Sequence, residues 1–189
     1  MPPTDGFVLV LPDEPLTVRL MNTVWSERGR VHDALSDVRR LRRWVEVVSA
    51  GTTAGDGDLA AFRELRDALR DVVHHRTATS PLPPERVARA VEVINGAVTA
   101  TTVWTELVLT EEGPSRRPCC SGTPAERLLS GIAAEAVDLL ADGRLSACRA
   151  PGCVHHYVRT GRRQWCSRQC GNRVRVARHY RRQSPASWS

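Results

Sequence analysis

Residues 148–173 read CRAPGCVHHYVRTGRRQWCSRQCGNR, a stretch that contains two close pairs of cysteines. Cys148 and Cys153 form the first pair, and Cys166 and Cys170 form the second. Thiolates are soft ligands that favour Zn²⁺, and a structural zinc site takes four ligands in a tetrahedron. The spacing therefore predicts one zinc ion per chain, bound by these four cysteines. The alternative is a set of buried or disulfide-paired cysteines.

The segment between the first and last of these cysteines cannot build a core of its own. Its large apolar side chains are Val154, Tyr157, Val158 and Trp165. They are too few to offset the entropy that is lost when the segment is ordered. Structural zinc contributes roughly 10–16 kcal/mol of apparent binding free energy in small fingers at neutral pH. We therefore expect the metal to hold this part of the chain together.

Charge is distributed unevenly along the 189 residues. Residues 143–189 contain eleven of the 27 basic residues and no acidic residue, whereas residues 1–142 hold 16 basic and 21 acidic residues. A basic tail on an acidic body predicts a polyanion-binding module attached to a second domain. We place the boundary at Asp142-Gly143, with one domain over residues 1–142 and a finger over residues 143–189.

The cellular compartment is predicted from the first residues and from the remaining cysteines. Residues 1–7 lack the basic start of a signal peptide, and the apolar run 7–11 is far shorter than a membrane span. We expect a cytoplasmic protein with reduced thiols and no membrane partner. Cys119 and Cys120 lie far from the other four cysteines in the sequence. They are expected to be free thiols, with a redox or accessory metal role as the alternative.

Residues 1–142 carry the patterns of a helical domain. Apolar residues recur at helical spacing over residues 15–25, 34–49, 58–74 and 83–94. Asn95-Gly96 is expected to end the last of these helices. A further helix is predicted from Thr123 to about Leu140, because Thr-Pro-Ala-Glu combines an N-cap, a first-turn proline and a capping-box glutamate.

One short β-hairpin is predicted within this helical domain. Residues 99–109 are rich in β-branched side chains and include Trp104, and the pattern breaks at residues 111–114. Residues 7–11 are a candidate partner strand for the hairpin.

Two parts of the chain resemble a known family. The string from Trp165 to Arg173, with the cysteine pair before it, resembles the bacterial CGNR zinc finger, whose name-giving tetrapeptide is here residues 170–173. Residues 20–23, Leu-Met-Asn-Thr, resemble the Asn-Thr motif near the start of the ABATE-type domain that accompanies this finger. Trp44 lies where that family has a tryptophan on its next helix. The resemblance implies a bacterial stress-response transcription regulator with a zinc-dependent DNA-binding module.

The finger itself should contain a hairpin and a helix. The turn signal Thr160-Gly161 predicts a hairpin between residues 154–158 and 162–165, and a helix should follow from about Ser167 to Arg182. One cysteine pair on a loop and one at a helix N-terminus is the treble-clef arrangement. The chain is thus predicted to be mainly α (α+β): a helical domain with a small β-hairpin, followed by a treble-clef-like Cys₄ zinc finger that ends in a basic helix.

The predicted last helix has two different faces at about 100° per residue. The face that should meet the metal and the hairpin carries Cys170, Val174, Val176, Ala177 and Tyr180. The opposite, basic face carries Arg168, Arg175, Arg178, His179 and Arg182, with Gly171 among them. We predict that the basic face docks on nucleic-acid phosphates. A solvated helix face is the alternative.

Arg173 falls on the cysteine side of the same helix. It is therefore predicted to bond thiolates or loop carbonyls rather than to read DNA. Trp165 and Asn172 are likewise assigned to the structure of the finger.

The body is the candidate sensor or dimerisation domain. Asn22, Trp25 and Trp44 are predicted to border an apolar cavity for a small-molecule effector between the first two helices, with ordinary core packing as the alternative. No nucleophile–base set, phosphate loop or carboxylate metal cluster occurs in the sequence, so catalysis is not expected. The predicted function is that of a transcription regulator that binds duplex DNA, with a homodimer as a candidate assembly. The alternatives are a zinc-stapled protein-interaction adaptor and an RNA-binding protein.

Overall fold

The computed structural model describes residues 11–27, 29–78 and 80–183, with side chains as far as Tyr180. Its elements are α1 (Leu16–Met21), β1 (Val24–Glu27), β2 (Arg30–Asp33), α2 (Val38–Val48), α3 (Asp58–Thr77), α4 (Pro84–Thr99), β3 (Val103–Thr110), β4 (Gly113–Cys120), α5 (Pro124–Ala141), β5 (Leu145–Ala147), β6 (His156–Val158) and α6 (Arg168–Gln183). The strands pair in sequence order as three antiparallel hairpins. The predicted mainly helical fold with a C-terminal Cys₄ finger is confirmed.

Helix α3 lies at the centre of the body and packs against α1, α4 and α5. Its apolar stripe, which includes Phe62, Leu65, Leu69 and Val73, is buried. The stripe faces Ile132 and its neighbours on α5 in one continuous core. Burial of side chains of this size contributes about 1.5–3 kcal/mol each, so this helical core supplies most of the stability of the body.

The start of α5 has the capping box that its sequence predicts. The Thr123 side chain accepts a hydrogen bond from the amide of Glu126, and the Glu126 carboxylate accepts one from the amide of Thr123. Pro124 occupies the first helical position, where a missing amide hydrogen costs nothing.

Three predicted helices differ from the structure at their ends. The first helix ends at Met21, and residues 24–27 instead form β1, which pairs with β2. Helix α2 begins at Val38, because Asp37 caps it by accepting a hydrogen bond from the amide of Arg40. Helix α4 continues beyond Asn95-Gly96 to Thr99. A glycine inside a helix costs about 1 kcal/mol. Burial of Ile94 and a hydrogen bond from the Ser130 hydroxyl to the carbonyl of Val98 offset this cost.

The predicted hairpin of the body is confirmed as β3–β4, with Thr110 opposite Gly113 at its turn. Side chains at alternate positions of β3, including Val103, Leu107 and Leu109, are at least three-quarters exposed. Cys119 and Cys120 lie at the end of β4 and are free. The predicted partner strand, residues 7–11, lies outside the described residues apart from Leu11.

The hairpin of the finger lies elsewhere than predicted. Residues 156–158 pair with residues 145–147 and not with residues 162–165, so the first cysteine pair lies in the connection between β5 and β6. The reason is that Leu145 and Val158 both enter the core of the body. In the described part of the chain, no helix combines the length and the apolar character that a membrane crossing requires.

Candidate functional site

The four predicted metal ligands come together in space. Cys148 and Cys153 lie in the connection between β5 and β6, Cys166 lies just before α6, and Cys170 lies in its first turn. Their sulfur atoms all lie within 4.8 Å of one another. Among the residues that the structure describes, this is the one group of three or more potential ligands that could hold a metal ion.

The distances between the sulfur atoms fit a tetrahedral zinc ion. The Sγ atom of Cys166 lies 3.5 Å from that of Cys170 and 3.7 Å from that of Cys153, and the latter two are 3.7 Å apart. Zn–S bonds of about 2.3 Å place the corners of a tetrahedron about 3.8 Å apart. The sulfur atoms are not bonded to one another. The cluster therefore fits one zinc ion, and the disulfide alternative is wrong.

Thiols this close share their protons unequally. A hydrogen bond from Cys153 lowers the pKa of Cys148 well below its ordinary value, whereas the same contact raises the pKa of Cys153 to about 12. Hydrogen bonds with Cys148 and Cys153 raise the pKa of Cys166 as well. A divalent cation suits this donor set, because it stabilises every sulfur as a thiolate.

Groups around the ligands donate hydrogen bonds to sulfur. The amide of Cys166 donates to the Sγ atom of Cys148 at 3.4 Å, and the Arg173 guanidinium donates to the Sγ atom of Cys170 at 3.3 Å. Arg173 also donates to the carbonyl of Pro151 at 3.2 Å. Its side chain thus links the second cysteine pair to the loop of the first. Such contacts orient the ligands and spread the negative charge of the thiolates.

Gly171 makes room for a tryptophan. It is buried, and a Cβ atom at this position would lie 3.2 Å from the Trp165 ring. Gly171 lies beside Arg168 and Arg175, as predicted, but the Trp165 ring covers it. A bare backbone is needed here so that the indole can lie against the first turn of α6.

Comparisons with known proteins agree with this geometry. Residues 14–143 match the family model of ABATE, described as "Putative stress-induced transcription regulator", and residues 144–183 match the model of the CGNR zinc finger. The chain belongs to the ABATE family. No curated protein matches it.

The CGNR finger presents its basic residues on the outside of α6. Arg168, Arg175, Arg178 and His179 are all exposed, and the Arg175 guanidinium donates a hydrogen bond to the side-chain carbonyl of Asn172. The side chain of Arg182 lies outside the described part of the chain. The basic face of the helix is therefore available to a partner as far as Tyr180.

The opposite face of α6 is covered only in its first turns. Cys170 is buried and Val174 is half-buried, but Val176 and Tyr180 are 53% and 66% exposed. The prediction that these two side chains face the metal and the hairpin is wrong. The cause is that the finger is smaller than the helix, so the last turns extend beyond the surface that the first turns pack against.

The predicted effector cavity at Asn22, Trp25 and Trp44 is also wrong. Trp44 is buried edge-on against Phe62 at 6.0 Å between ring centroids. Trp25 stacks on His32 across β1 and β2 at 5.2 Å. The Asn22 amide is saturated by the backbone of the finger, so these three side chains have separate roles.

Asn22 joins the body to the finger. Its side-chain nitrogen donates to the carbonyl of His156 at 3.0 Å, and its side-chain oxygen accepts from the amide of His156 at 2.8 Å. Glu14 makes a second connection, since its carboxylate accepts from the amide of Val158 at 3.0 Å and from the Arg163 guanidinium at 2.6 Å. The sequence motif marked Asn22 as unusual, but nothing local in the sequence indicates its partner or the role of Glu14.

Proposed function

We propose that the chain is a transcription regulator that binds duplex DNA through the CGNR finger, with the exposed arginines of α6 on the phosphates. The observation that carries the proposal is the unpaired charge of this face. Arg168 and Arg178 make no ion pair with any described residue, and Arg175 is held by an uncharged amide. Guanidinium groups that are free of carboxylates retain their full attraction for a polyanion.

The rest of the chain favours the same partner. No acidic residue occurs from residue 143 to the end, so nothing on the finger's own sequence opposes an approaching phosphate backbone. The body is acidic, with 16 basic against 21 acidic residues in residues 1–142. This asymmetry orients the finger toward a polyanion and keeps the body away from it.

One observation favours the second candidate, a protein-interaction adaptor. Val176 and Tyr180 leave an apolar strip exposed beside the basic face of α6. Aromatic side chains are enriched where proteins meet. We favour nucleic acid because the arginines outnumber the apolar positions on the exposed turns.

Neutralising two arginines of the basic face tests the proposal. On duplex DNA each phosphate contact contributes about 0.9 to the slope of log affinity against log salt concentration. In the variant Arg168→Gln/Arg175→Gln we expect the slope to fall by about 1.8 and the zinc content to stay at one per chain. Fluorescence anisotropy with a generic duplex at several salt concentrations measures the slope.

The matched control for this test is Arg39→Gln/Arg116→Gln. It makes the same change in net charge at two exposed body arginines on α2 and β4, and its slope should equal that of the parent. Equal slopes for the finger variant and the parent would indicate that the basic face only contacts solvent, and would favour the protein-interaction adaptor. If the parent binds RNA more tightly than duplex DNA at equal salt concentration, RNA and not DNA is the partner.

The remaining partners stay predictions. We propose a small-molecule effector for the body. A cleft of about 790 Å³ between α3, α4 and α5, with Leu65, Val93 and Leu129 in its wall, offers a place for one. A homodimer, a cytoplasmic location and the absence of catalytic activity are likewise part of the proposal.

A further inference from the structure

A second basic feature lies where the finger meets the body. A cleft of about 400 Å³, here called the junction cleft, lies between the end of α3, the β5–β6 hairpin and α6. Five arginines line it: Arg76 from the body, and Arg149, Arg159, Arg163 and Arg178 from the finger. No aspartate or glutamate among the residues with a described placement lines it.

Two of these arginines are fixed by the protein. Arg163 donates to Glu14 at 2.6 Å, and its guanidinium lies 4.9 Å from the centroid of the Tyr157 ring. Arg76 donates to the carbonyl of Leu140 at 2.9 Å. A Cβ atom on Gly143 would lie 2.9 Å from Nη2 of Arg76, so a glycine at this junction allows the Arg76 side chain to lie across it. Both guanidinium groups are therefore held at the cleft before any ligand arrives.

The other three arginines have no partner of their own. The guanidinium groups of Arg149, Arg159 and Arg178 make neither an ion pair nor a hydrogen bond with any residue within the described ranges. The uncharged residues of the lining include Ser146 and Gln164, which add further hydrogen-bond donors. The cleft thus collects donors and positive charge. Among the described residues, the one carboxylate that pairs with a lining arginine is that of Glu14, which already accepts from Arg163 and Val158.

We propose that the junction cleft binds a phosphate group. Like charges that converge in a partly enclosed space repel one another, and a bound anion removes that cost. A guanidinium offers two parallel hydrogen bonds that match the oxygens of a phosphate. A dianion suits three unpaired arginines better than a single carboxylate does. The volume is in the range of pockets that hold small ligands.

A phosphate in this cleft contacts both parts of the chain. Arg76 belongs to α3 of the body, whereas Arg149 lies in the connection between β5 and β6 and Arg159 directly follows β6. The bound anion is a bridge that favours the docked arrangement of body and finger. The inference does not depend on the proposed DNA binding, because a free phosphate compound and a backbone phosphate of nucleic acid present the same oxygens.

Pyrophosphate is the probe that tests the site. We expect it to raise the melting temperature of the zinc-loaded protein relative to chloride at equal ionic strength, and to bind measurably by calorimetry. Arg149→Gln/Arg159→Gln removes two exposed, unpaired arginines and should weaken pyrophosphate binding at least about tenfold, because charge-assisted hydrogen bonds are lost. The matched control Arg39→Gln/Arg116→Gln has the same net charge and should bind pyrophosphate like the parent.

A salt titration with duplex DNA identifies the source of the phosphate. If the cleft holds a backbone phosphate, the salt slope of Arg149→Gln/Arg159→Gln falls below that of the control and pyrophosphate competes with DNA. If it holds a free phosphate compound, the cleft variant loses pyrophosphate binding and keeps the DNA slope. The proposal is overturned if cleft variant and control bind pyrophosphate equally, or both not at all, and their DNA slopes agree. A parent protein that binds pyrophosphate but does not bind duplex DNA would refute the proposed function alone.

Discussion

Replacing Cys166 with serine is expected to release the zinc ion and unfold the finger while the body stays folded. Cys166 is central to the cluster, because its sulfur lies within 3.7 Å of two other ligand sulfurs and its amide donates to the third ligand. Structural zinc is worth roughly 10–16 kcal/mol in small fingers. The apolar cluster around the ligands, with Tyr157 and Ala150 as its fully buried non-cysteine members, cannot replace that amount.

The helices of the body should survive this change. Of the buried members of the core around α3, Leu145 and Val158 come from the finger, and the others belong to residues 18–139. We expect zinc per chain, measured by elemental analysis, to fall from one to near zero. Circular dichroism should show loss of the signal of α6 alone, and backbone amide spectra should keep the dispersion of the body.

Cys119→Ser is the matched control, because Cys119 lies on strand β4 of the exposed β3–β4 hairpin and forms no disulfide. This variant should keep one zinc ion per chain. If it loses as much zinc as Cys166→Ser, or if the parent holds none, the ligand assignment is wrong. Zinc should also dissociate as the pH falls, because each cysteine thiol must lose its proton to bind the metal.

The parts of the structure that the sequence predicts are those that short-range chemistry decides. The ligand set follows from four cysteines with fixed spacing, and the start of α5 follows from the reciprocal bonds of Thr123 and Glu126. Arg173 was expected on the cysteine side of its helix, and its guanidinium contacts the Sγ atom of Cys170. In each case the decisive groups lie close in sequence or on one helix face.

The parts that sequence reasoning missed depend on contacts between distant residues. The hairpin of the finger pairs residues 156–158 with 145–147 because Leu145 and Val158 fill a core that is built mainly by other elements. The exposure of Val176 and Tyr180 depends on how little of the finger there is to cover α6. The junction cleft needs Arg76 from α3 beside residues of the finger. Periodicity along one segment carries no information about such neighbours.

Asn22 is the clearest example of a distant contact, and its replacement by alanine should destabilise the whole chain. The side chain is 2% exposed and satisfies both the amide and the carbonyl of His156, 134 residues away. Each buried polar group that is left without a partner costs about 1–3 kcal/mol. Burial also lowers the pKa of His156 to about 3, so its ring is uncharged. We expect the free energy of unfolding in urea to fall by about 2–4 kcal/mol.

Asn95→Ala is the control for the Asn22 variant, because the Asn95 side chain is exposed on α4 and the substitution should change the free energy of unfolding by less than about 0.5 kcal/mol. Zinc should remain bound in both variants, since neither asparagine touches a ligand. Amide hydrogen exchange should accelerate at residues 156–158 in Asn22→Ala before it changes in α3. Equal unfolding free energies for the two variants would mean that the docking of the finger does not need the amide. Asn22→Asp distinguishes the two hydrogen bonds. The aspartate carboxylate can still accept from the amide of His156, but its second oxygen faces the carbonyl oxygen of His156 and cannot donate to it. We therefore expect Asn22→Asp to lower the free energy of unfolding by at least as much as Asn22→Ala.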